Sequence, residues 1–286
     1  MTMPATPTSE GVGAVGARAV PAAPEGPSFI NITLAREARV AVLSLSRPRG
    51  LNILNGETLV ELERALGALA ADGTVDVVLL RSAHPKVFTA GADITEMRQQ
   101  DVTTAREFSE LGHRVARALE TLPQPVVVAV HGAVMGGGME FILACDIRIA
   151  ADDAFFAQPE IDIGIIPGWG GTQRLARVVG IGMAKELIYT GRRIDAKEAL
   201  RIGLVNEVVP RASLDRAAMS FAQGIACKSR PILLAAKRAI NKTMESSLPV
   251  GLDYEVDAFA NVFATADRTE GMCAFLEKRP PRFADR

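Results

Sequence analysis

Cysteine and histidine are both scarce in this 286-residue chain, at three residues each. Cys145, Cys227 and Cys273 are far apart, odd in number and never spaced as CxxC. That pattern excludes a disulfide framework and a thiol zinc site. Three reduced thiols fit a reducing cytoplasm, which is the expected location. His84, His113 and His131 show no HExxH or similar ligand spacing, so they read as turn or surface residues. No metal is expected. Apolar runs are short: none approaches the ~20 residues of a membrane span, and Val126–Val130 has strand length. Neither sign of charge dominates, with 32 Lys and Arg against 33 Asp and Glu and a net charge of -1. Neither nucleic acid nor a membrane surface is therefore expected as a partner.

What is present is ordinary for a globular protein: 48% hydrophobic and 23% charged residues, in a chain long enough for a sizeable core. Residues 1–28 differ. They are rich in Pro, Ala, Gly and Thr, without periodicity, and read as a disordered tail. The tail contains a GxGxxG match, Gly11 to Gly16. A dinucleotide fingerprint needs a strand before it and a helix after it, whereas Pro4, Pro7, Pro21 and Pro24 flank this one. It is rejected as chance.

Order is expected from Phe29. Residues 29–34 and 39–45 read as paired strands. Leu59, Leu62, Leu66 and Leu69 recur at helical spacing within 57–71, and Asp72-Gly73 closes that helix. Strands are expected at 75–81, 125–131 and 146–150, with helices at about 104–120 and 137–145. The alternation argues for an α/β architecture with parallel pairing. Beyond about residue 176 the segments 183–190, 196–202, 213–228, 231–245, 250–266 and 268–277 all read as helix. Their apolar faces exceed what one small domain needs, which points to subunit contacts.

Three loops carry chemistry by residue type. Phe88-Thr-Ala-Gly91-Ala92-Asp93 follows a strand, and its small residues allow close approach to the backbone. Taken alone it is a tight turn. Gly136-Gly137-Gly138-Met-Glu140 opens a helix, where free N–H groups and the helix dipole favour negative charge. The GxxxxGK[ST] pattern of a phosphate loop is absent. Glu140 in the first turn would repel a phosphate, but it suits a carbonyl oxygen that gains charge only in a transition state. Alone, Glu140 is a helix-end charge. Gln158-Pro159-Glu160 precedes a Gly-broken segment, Gly164 to Leu175, and alone Glu160 is a loop glutamate.

Together and in order, these segments resemble the enoyl-CoA hydratase/isomerase (crotonase) superfamily. The motifs are AGAD at 90–93, GGGME at 136–140, CDIRIA at 145–150, QPEIDIGIIPGWGGTQRL at 158–175 and EGMCAFLEKRPPRF at 270–283. The resemblance runs from about residue 29 to the C-terminus and is most like bacterial short-chain enoyl-CoA hydratases. It implies a crotonase-like spiral of ββα units over 29–212, followed by a helical trimerisation region over 213–286. It implies a homotrimer or a dimer of trimers acting on an acyl-CoA thioester, with no separate cofactor because coenzyme A is part of the substrate.

Carried onto this chain, the family pattern puts an oxyanion hole at the Ala92 and Gly137 amides. Glu140 and Glu160 share the catalytic water, and the Gly168 backbone lies near it. Arg49, Leu51 and Ala90 fall on the coenzyme A loops. Phe275 and Lys278 match residues that reach the adenine and a phosphate from a neighbouring subunit. Thr95 stands where many relatives carry Lys, which removes one phosphate contact. Trp169 stands where many have Ala or Phe, and its bulk is expected to shorten the acyl pocket. Two glutamates favour hydration over double-bond isomerisation, which usually needs one carboxylate. A hydratase of an aromatic- or branched-acid pathway remains an alternative. RNA binding, a mode of some relatives, uses lysines on the first helix. Helix 57–71 has none and carries Glu57, Glu61 and Glu63.

Overall fold

The computed structural model describes residues 28–285, so the tail expected over 1–28 and its GxGxxG match lie almost wholly outside the described residues. The chain opens with an antiparallel hairpin, β1 (Ile32–Glu37) and β2 (Val40–Leu45). Helix α1 (Gly56–Ala71) is capped by Asn55, whose side chain accepts the Thr58 N–H. Leu59, Leu62, Leu66 and Leu69 form its buried stripe, as the spacing predicts.

A repeat of one strand, one short strand and a helix follows. The first copy is β3 (Val77–Ser82), β4 (Val87–Thr89), a single turn α2 (Ile94–Met97), and α3 (Val102–Thr121). The second is β5 (Val126–Val130), β6 (Ala133–Met135) and α4 (Gly137–Leu143). The third is β7 (Ile147–Ala151), β8 (Phe155–Ala157), a 3-10 turn over Pro159–Ile163, and α5 (Gly171–Val179). Then come α6 (Ile181–Thr190), β9 (Ile194–Asp195), α7 (Ala196–Arg201) and β10 (Glu207–Val209). Helices α8 (Leu214–Ala226), α9 (Arg230–Asn241), α10 (Leu248–Val262) and α11 (Ala266–Leu276) complete the chain.

Each repeat contributes one strand to each of two sheets. The five longer strands and the three-residue β10 form a six-stranded sheet in the order β1-β2-β3-β5-β7-β10, parallel except for the first hairpin. The short strands form a second sheet, β4-β6-β8-β9, in which β4, β6 and β8 run parallel. The resemblance implies a second strand in each ββα unit, but the residue pattern did not locate these strands, because two or three residues are shorter than any readable alternation. Helix α5 was likewise hidden in the Gly-rich segment before it.

The central strands of the large sheet, β2, β3, β5 and β7, are buried on both faces. Along β3, Val78 and Leu80 join the core shared with α1, α3 and α4, while Val77 and Leu79 face α8 with its Leu214, Ala218 and Ala222. A strand covered on both sides reads as an unbroken apolar run, which explains Val126–Val130. Helix α10 behaves oppositely: it buries no residue in the single chain, and Leu252, Val256 and Phe259 are exposed. Among the described residues no helix is long and apolar enough to cross a membrane.

The second sheet positions the loops of interest. Its adjacent parallel strands β4, β6 and β8 end at Thr89, Met135 and Ala157. AGAD, GGGME and QPE begin directly after those ends. Parallel pairing therefore brings three motifs distant in sequence to one edge.

A buried ion pair ties the C-terminal helices to the sheet. Lys237 of α9 donates to Asp146 Oδ2 at 2.7 Å and to the Gln124 carbonyl at 3.1 Å. The same Asp146 oxygen accepts the Val126 N–H at 2.7 Å. Removing the lysine leaves a largely buried carboxylate without its cation. Lys237→Met is expected to destabilise the chain by about 3 kcal/mol in chemical denaturation; an unchanged midpoint would show that the pair is dispensable.

Candidate active site

The loop before α1 is locked onto AGAD by one buried side chain. Asn52 donates through Nδ2 to Leu45 O, Ser82 Oγ and Phe88 O, and its Oδ1 accepts the Arg47 N–H. Its carbonyl accepts the Ala90 N–H and the Thr89 hydroxyl, each at 2.8 Å. Sequence reasoning passed over Asn52, because a single Asn in a loop carries no periodic signal. One residue pair further on, the Leu54 N–H donates to Gly91 O and the Asp93 N–H to Leu54 O. That bridge uses the residues on either side of Ala92, so the Ala92 N–H points away from it. It has no hydrogen-bond partner among the described residues.

The Gly137 N–H is likewise free at the first turn of α4, while the Gly136 N–H is taken by Ala157 O. Small residues are obligatory here for space. A Cβ on Gly137 would overlap the Trp169 ring, and one on Gly138 would overlap Thr89 Cγ2. The helix therefore sits hard against β4 and the indole, and both free amides line one cavity of about 650 Å³.

Glu140 and Glu160 line the same cavity, and both are buried. Glu140 Oε1 accepts two backbone hydrogen bonds, from Trp169 at 2.7 Å and Gly171 at 2.6 Å. Burial pushes the Glu140 carboxyl up to about 7. The Gly171 and Trp169 N–H groups and the Arg174 guanidinium oppose that rise, and the Glu160 charge adds to it. Burial also raises the Glu160 carboxyl. Glu160 Oε1 accepts the Gln158 side-chain amide at 2.9 Å, and its Oε2 has no partner among the described residues. Two buried carboxyls facing one cavity, both raised by burial, titrate as a coupled pair. The arrangement can accept a proton at one oxygen and release one at another, beside two N–H donors that await an oxygen acceptor.

The remaining expected residues divide. Ala90, Gly168 and Trp169 line the cavity. The Gly168 carbonyl is taken by Ser109 Oγ at 2.6 Å. Trp169 is held by stacking on Phe141, at 5.2 Å between centroids, and by an edge contact with Phe108 at 5.3 Å. Arg49 and Leu51 are exposed on the loop before Asn52 and do not line the cavity. Phe275 and Lys278 are exposed at the end of α11 and do not line it either, so one chain does not bring them to the site. Thr95 lies in α2, and its backbone N–H donates to the Asp93 side chain that caps that helix. Contrary to expectation, His131 is buried, with Nε2 at 2.7 Å from the His84 carbonyl. Gln158, Ser109 and Arg174 were not singled out from sequence. Their partners lie two to 59 positions away, and only the fold brings them together.

A ββα spiral with paired carboxyls and free amides at the ends of its short strands defines a class. The chain belongs to the enoyl-CoA hydratase/isomerase family, whose sequence profile matches residues 35–286. It is 46% identical over 249 residues to a protein of Clostridium acetobutylicum named short-chain-enoyl-CoA hydratase, covering 87% of this chain and 95% of that protein. It is 44% identical over 256 residues to crotonyl-CoA hydratase of Syntrophomonas wolfei, covering 90% and 98%. Among solved structures, an enoyl-CoA hydratase from Bacillus anthracis superposes with a TM-score of 0.86 at 41% identity, covering 90% of this chain and all of that one.

The raised Glu140 carboxyl has a measurable consequence for stability. Below its ordinary value of 4.5, folded and unfolded chains both hold the proton. From there to about 7 the unfolded chain releases a proton that the folded chain keeps, so stability falls as pH rises. Gln in place of Glu140 retains an oxygen for both N–H donors and does not titrate. Glu140→Gln is therefore expected to gain on the wild type with rising pH, by up to roughly 3 kcal/mol at about pH 8. Denaturation midpoints across pH would read this, and a difference independent of pH would refute it.

Proposed function

We propose that this chain adds water across the 2,3 double bond of a short 2-enoyl-CoA, giving the 3-hydroxyacyl-CoA. The carrying observation is the pair of buried glutamates, Glu140 and Glu160, in one cavity with the free amides of Ala92 and Gly137. In this reading the two N–H groups receive the thioester oxygen. The C2–C3 π pair then moves toward that oxygen, and the two donors stabilise the charge as it develops, by about 3 kcal/mol each.

Water forms a bond to C3 through its oxygen as Glu140 removes one of its protons. Glu160 supplies a proton to C2, and the enolate collapses back to the thioester. The balance is one water gained and no electrons transferred, so the reaction itself calls for no redox group. Coenzyme A enters with the substrate. Ala90, Arg49 and Leu51 are assigned to its binding, and Gly168 to the backbone beside the water.

The likeness to the two named bacterial hydratases supports the reaction, and the locked Trp169 supports a short acyl chain. An indole held between Phe141 and Phe108 cannot swing aside without breaking both contacts. The uncovered apolar face of α10 is assigned to contacts in a homotrimer or dimer of trimers, where Phe275 and Lys278 would reach a neighbour's coenzyme A. Light scattering is expected to give three or six times the 30.4 kDa chain mass; a monomer would refute that assembly.

The function is tested with a panel of enoyl-CoA substrates, followed by loss of the conjugated thioester absorbance. Crotonyl-CoA is expected to exceed a long-chain enoyl-CoA in kcat/KM by about tenfold or more. Glu140→Gln and Glu160→Gln should each lose about a hundredfold or more in hydration. Full hydration by Glu140→Gln would overturn the mechanism. Conversion of a 3-enoyl-CoA faster than hydration of the 2-enoyl-CoA would make the chain an isomerase.

A further inference from the structure

The turn Gly168–Gly171 does an unusual thing: it aims two amides, of Trp169 and Gly171, at a single oxygen of Glu140. For that, the carbonyls of the turn must point elsewhere, and each has a partner that holds it there. Gly168 O accepts the Ser109 hydroxyl at 2.6 Å. Trp169 O accepts Arg174 Nη1 at 3.2 Å. Gly170 O accepts the backbone N–H groups of Gln173 and Arg174 at 3.0 and 2.8 Å.

Of these partners only Arg174 carries a charge. Its guanidinium is mostly buried and is itself fixed by Glu120 of α3, through Nη2 to Oε2 at 2.9 Å and Nε to Oε1 at 3.3 Å. Glu120 is anchored in turn, since its carbonyl accepts the Asn241 side chain of α9 at 2.9 Å. A two-point Arg–carboxylate contact fixes orientation as well as charge. Gly170 is pressed so close to the guanidinium that a Cβ there would overlap it.

We infer that Arg174, locked by Glu120, is a positioning residue for Glu140: it holds the 168–171 turn in the orientation that grips the carboxylate, and it places the nearest cation behind it. The inference rests on the proposed hydratase reading for its kinetic readout. It assigns work to a residue that touches neither cavity nor substrate.

The ionisable groups packed around this unit come from four elements. Glu140 lies on α4, Glu160 on the 3-10 turn, Arg174 on α5, and His113 and Glu120 on α3. Glu140 feels Arg174 as a favourable charge and is coupled to Glu160 through their like charges, and Glu120, paired with the guanidinium, offsets part of its charge. Removing either member of the ion pair would therefore move the pair in opposite directions. Loss of Arg174 makes the carboxyls hold their protons to higher pH. Loss of the Glu120 charge, with the guanidinium retained, makes them release protons at lower pH. A purely structural role predicts no such opposition, because both substitutions would simply loosen the turn.

The test is kcat and KM for crotonyl-CoA hydration from about pH 5 to about pH 10, on wild type, Arg174→Met, Arg174→Lys and Glu120→Gln. Arg174→Met is expected to move both limbs of the profile upward by about half a unit or more. Its kcat should fall about tenfold to a hundredfold, with KM changed by less than about threefold. Arg174→Lys should restore the limbs more fully than the rate, since it returns the charge without the two-point contact. Glu120→Gln should move the limbs downward. A His113→Gln background removes the imidazole beside Arg174 and must leave both directions intact.

Unmoved limbs, or limbs that move the same way in both variants, overturn the inference while leaving the hydratase reading in place. If Arg174→Met does not fold, the downward shift in Glu120→Gln decides alone. If the wild type does not hydrate crotonyl-CoA, the hydratase reading fails. The inference is then decided by infrared titration of the Glu140 carboxyl, assigned by its absence in Glu140→Gln, with the same two directions required.

Discussion

The site depends on one oxygen atom. Glu140 Oε1 takes the amides of Trp169 and Gly171 together, and so joins the first turn of α4 to the turn that precedes α5. Burial and the Glu160 charge raise this carboxyl, while two N–H donors and a nearby guanidinium lower it. The balance sets it at about 7. The same turn of α4 bears the free Gly137 amide. Proton affinity and oxygen-binding geometry are thus fixed by one short helix, all of whose residues are buried. Neither can be adjusted by sliding that helix without disturbing the other.

The second sheet makes this economy possible. Three consecutive short strands, parallel and adjacent, end at nearly the same level and hand over directly to Ala90–Ala92, Gly136–Gly137 and Gln158–Glu160. No loop has to reach across the molecule. The larger sheet holds the framework from behind, with apolar residues on both of its faces, and bears no group that lines the cavity. Framework and site occupy separate sheets, so the carboxyls are buried without interrupting the main core.

This division also governs what the sequence made legible. The framework could be read because its signals are long: four or five apolar residues in each of the central strands β2, β3, β5 and β7, and four leucines at helical spacing in α1. The second sheet could not, since its strands of two or three residues carry no period and its register comes from parallel neighbours far away in the chain. The three motifs were visible as motifs. That they are successive strand ends was not. The roles of Asn52, Ser109, Gln158 and Arg174 were hidden for a different reason. Each is one polar residue in a loop or helix, indistinguishable by composition from a solvated one, and its importance lies in partners that only folding supplies. Phe275 and Lys278 show the reverse: the motif that contains them is plain, yet a single chain leaves them exposed and outside the cavity lining.

Trp169 and the glycines near it are best understood as one packing unit. The indole is the largest side chain at the site, and it is accommodated because Gly112 on α3 and Gly137 on α4 have no Cβ to meet it. Phe141 stacks on one face and Phe108 meets the ring at an angle. Large-against-small complementarity of this kind makes a wall that does not retreat, because the space behind it is filled to the density of a core. A cavity bounded by a mobile loop can lengthen to fit a longer chain at little cost. One bounded by an indole wedged between two helices can lengthen only by repacking α3 against α4, and α4 carries Gly137 and Glu140. On the proposed reading, a longer acyl group that displaced Trp169 would also displace the groups that must act on its thioester, so chain length and reactivity are constrained by the same contact.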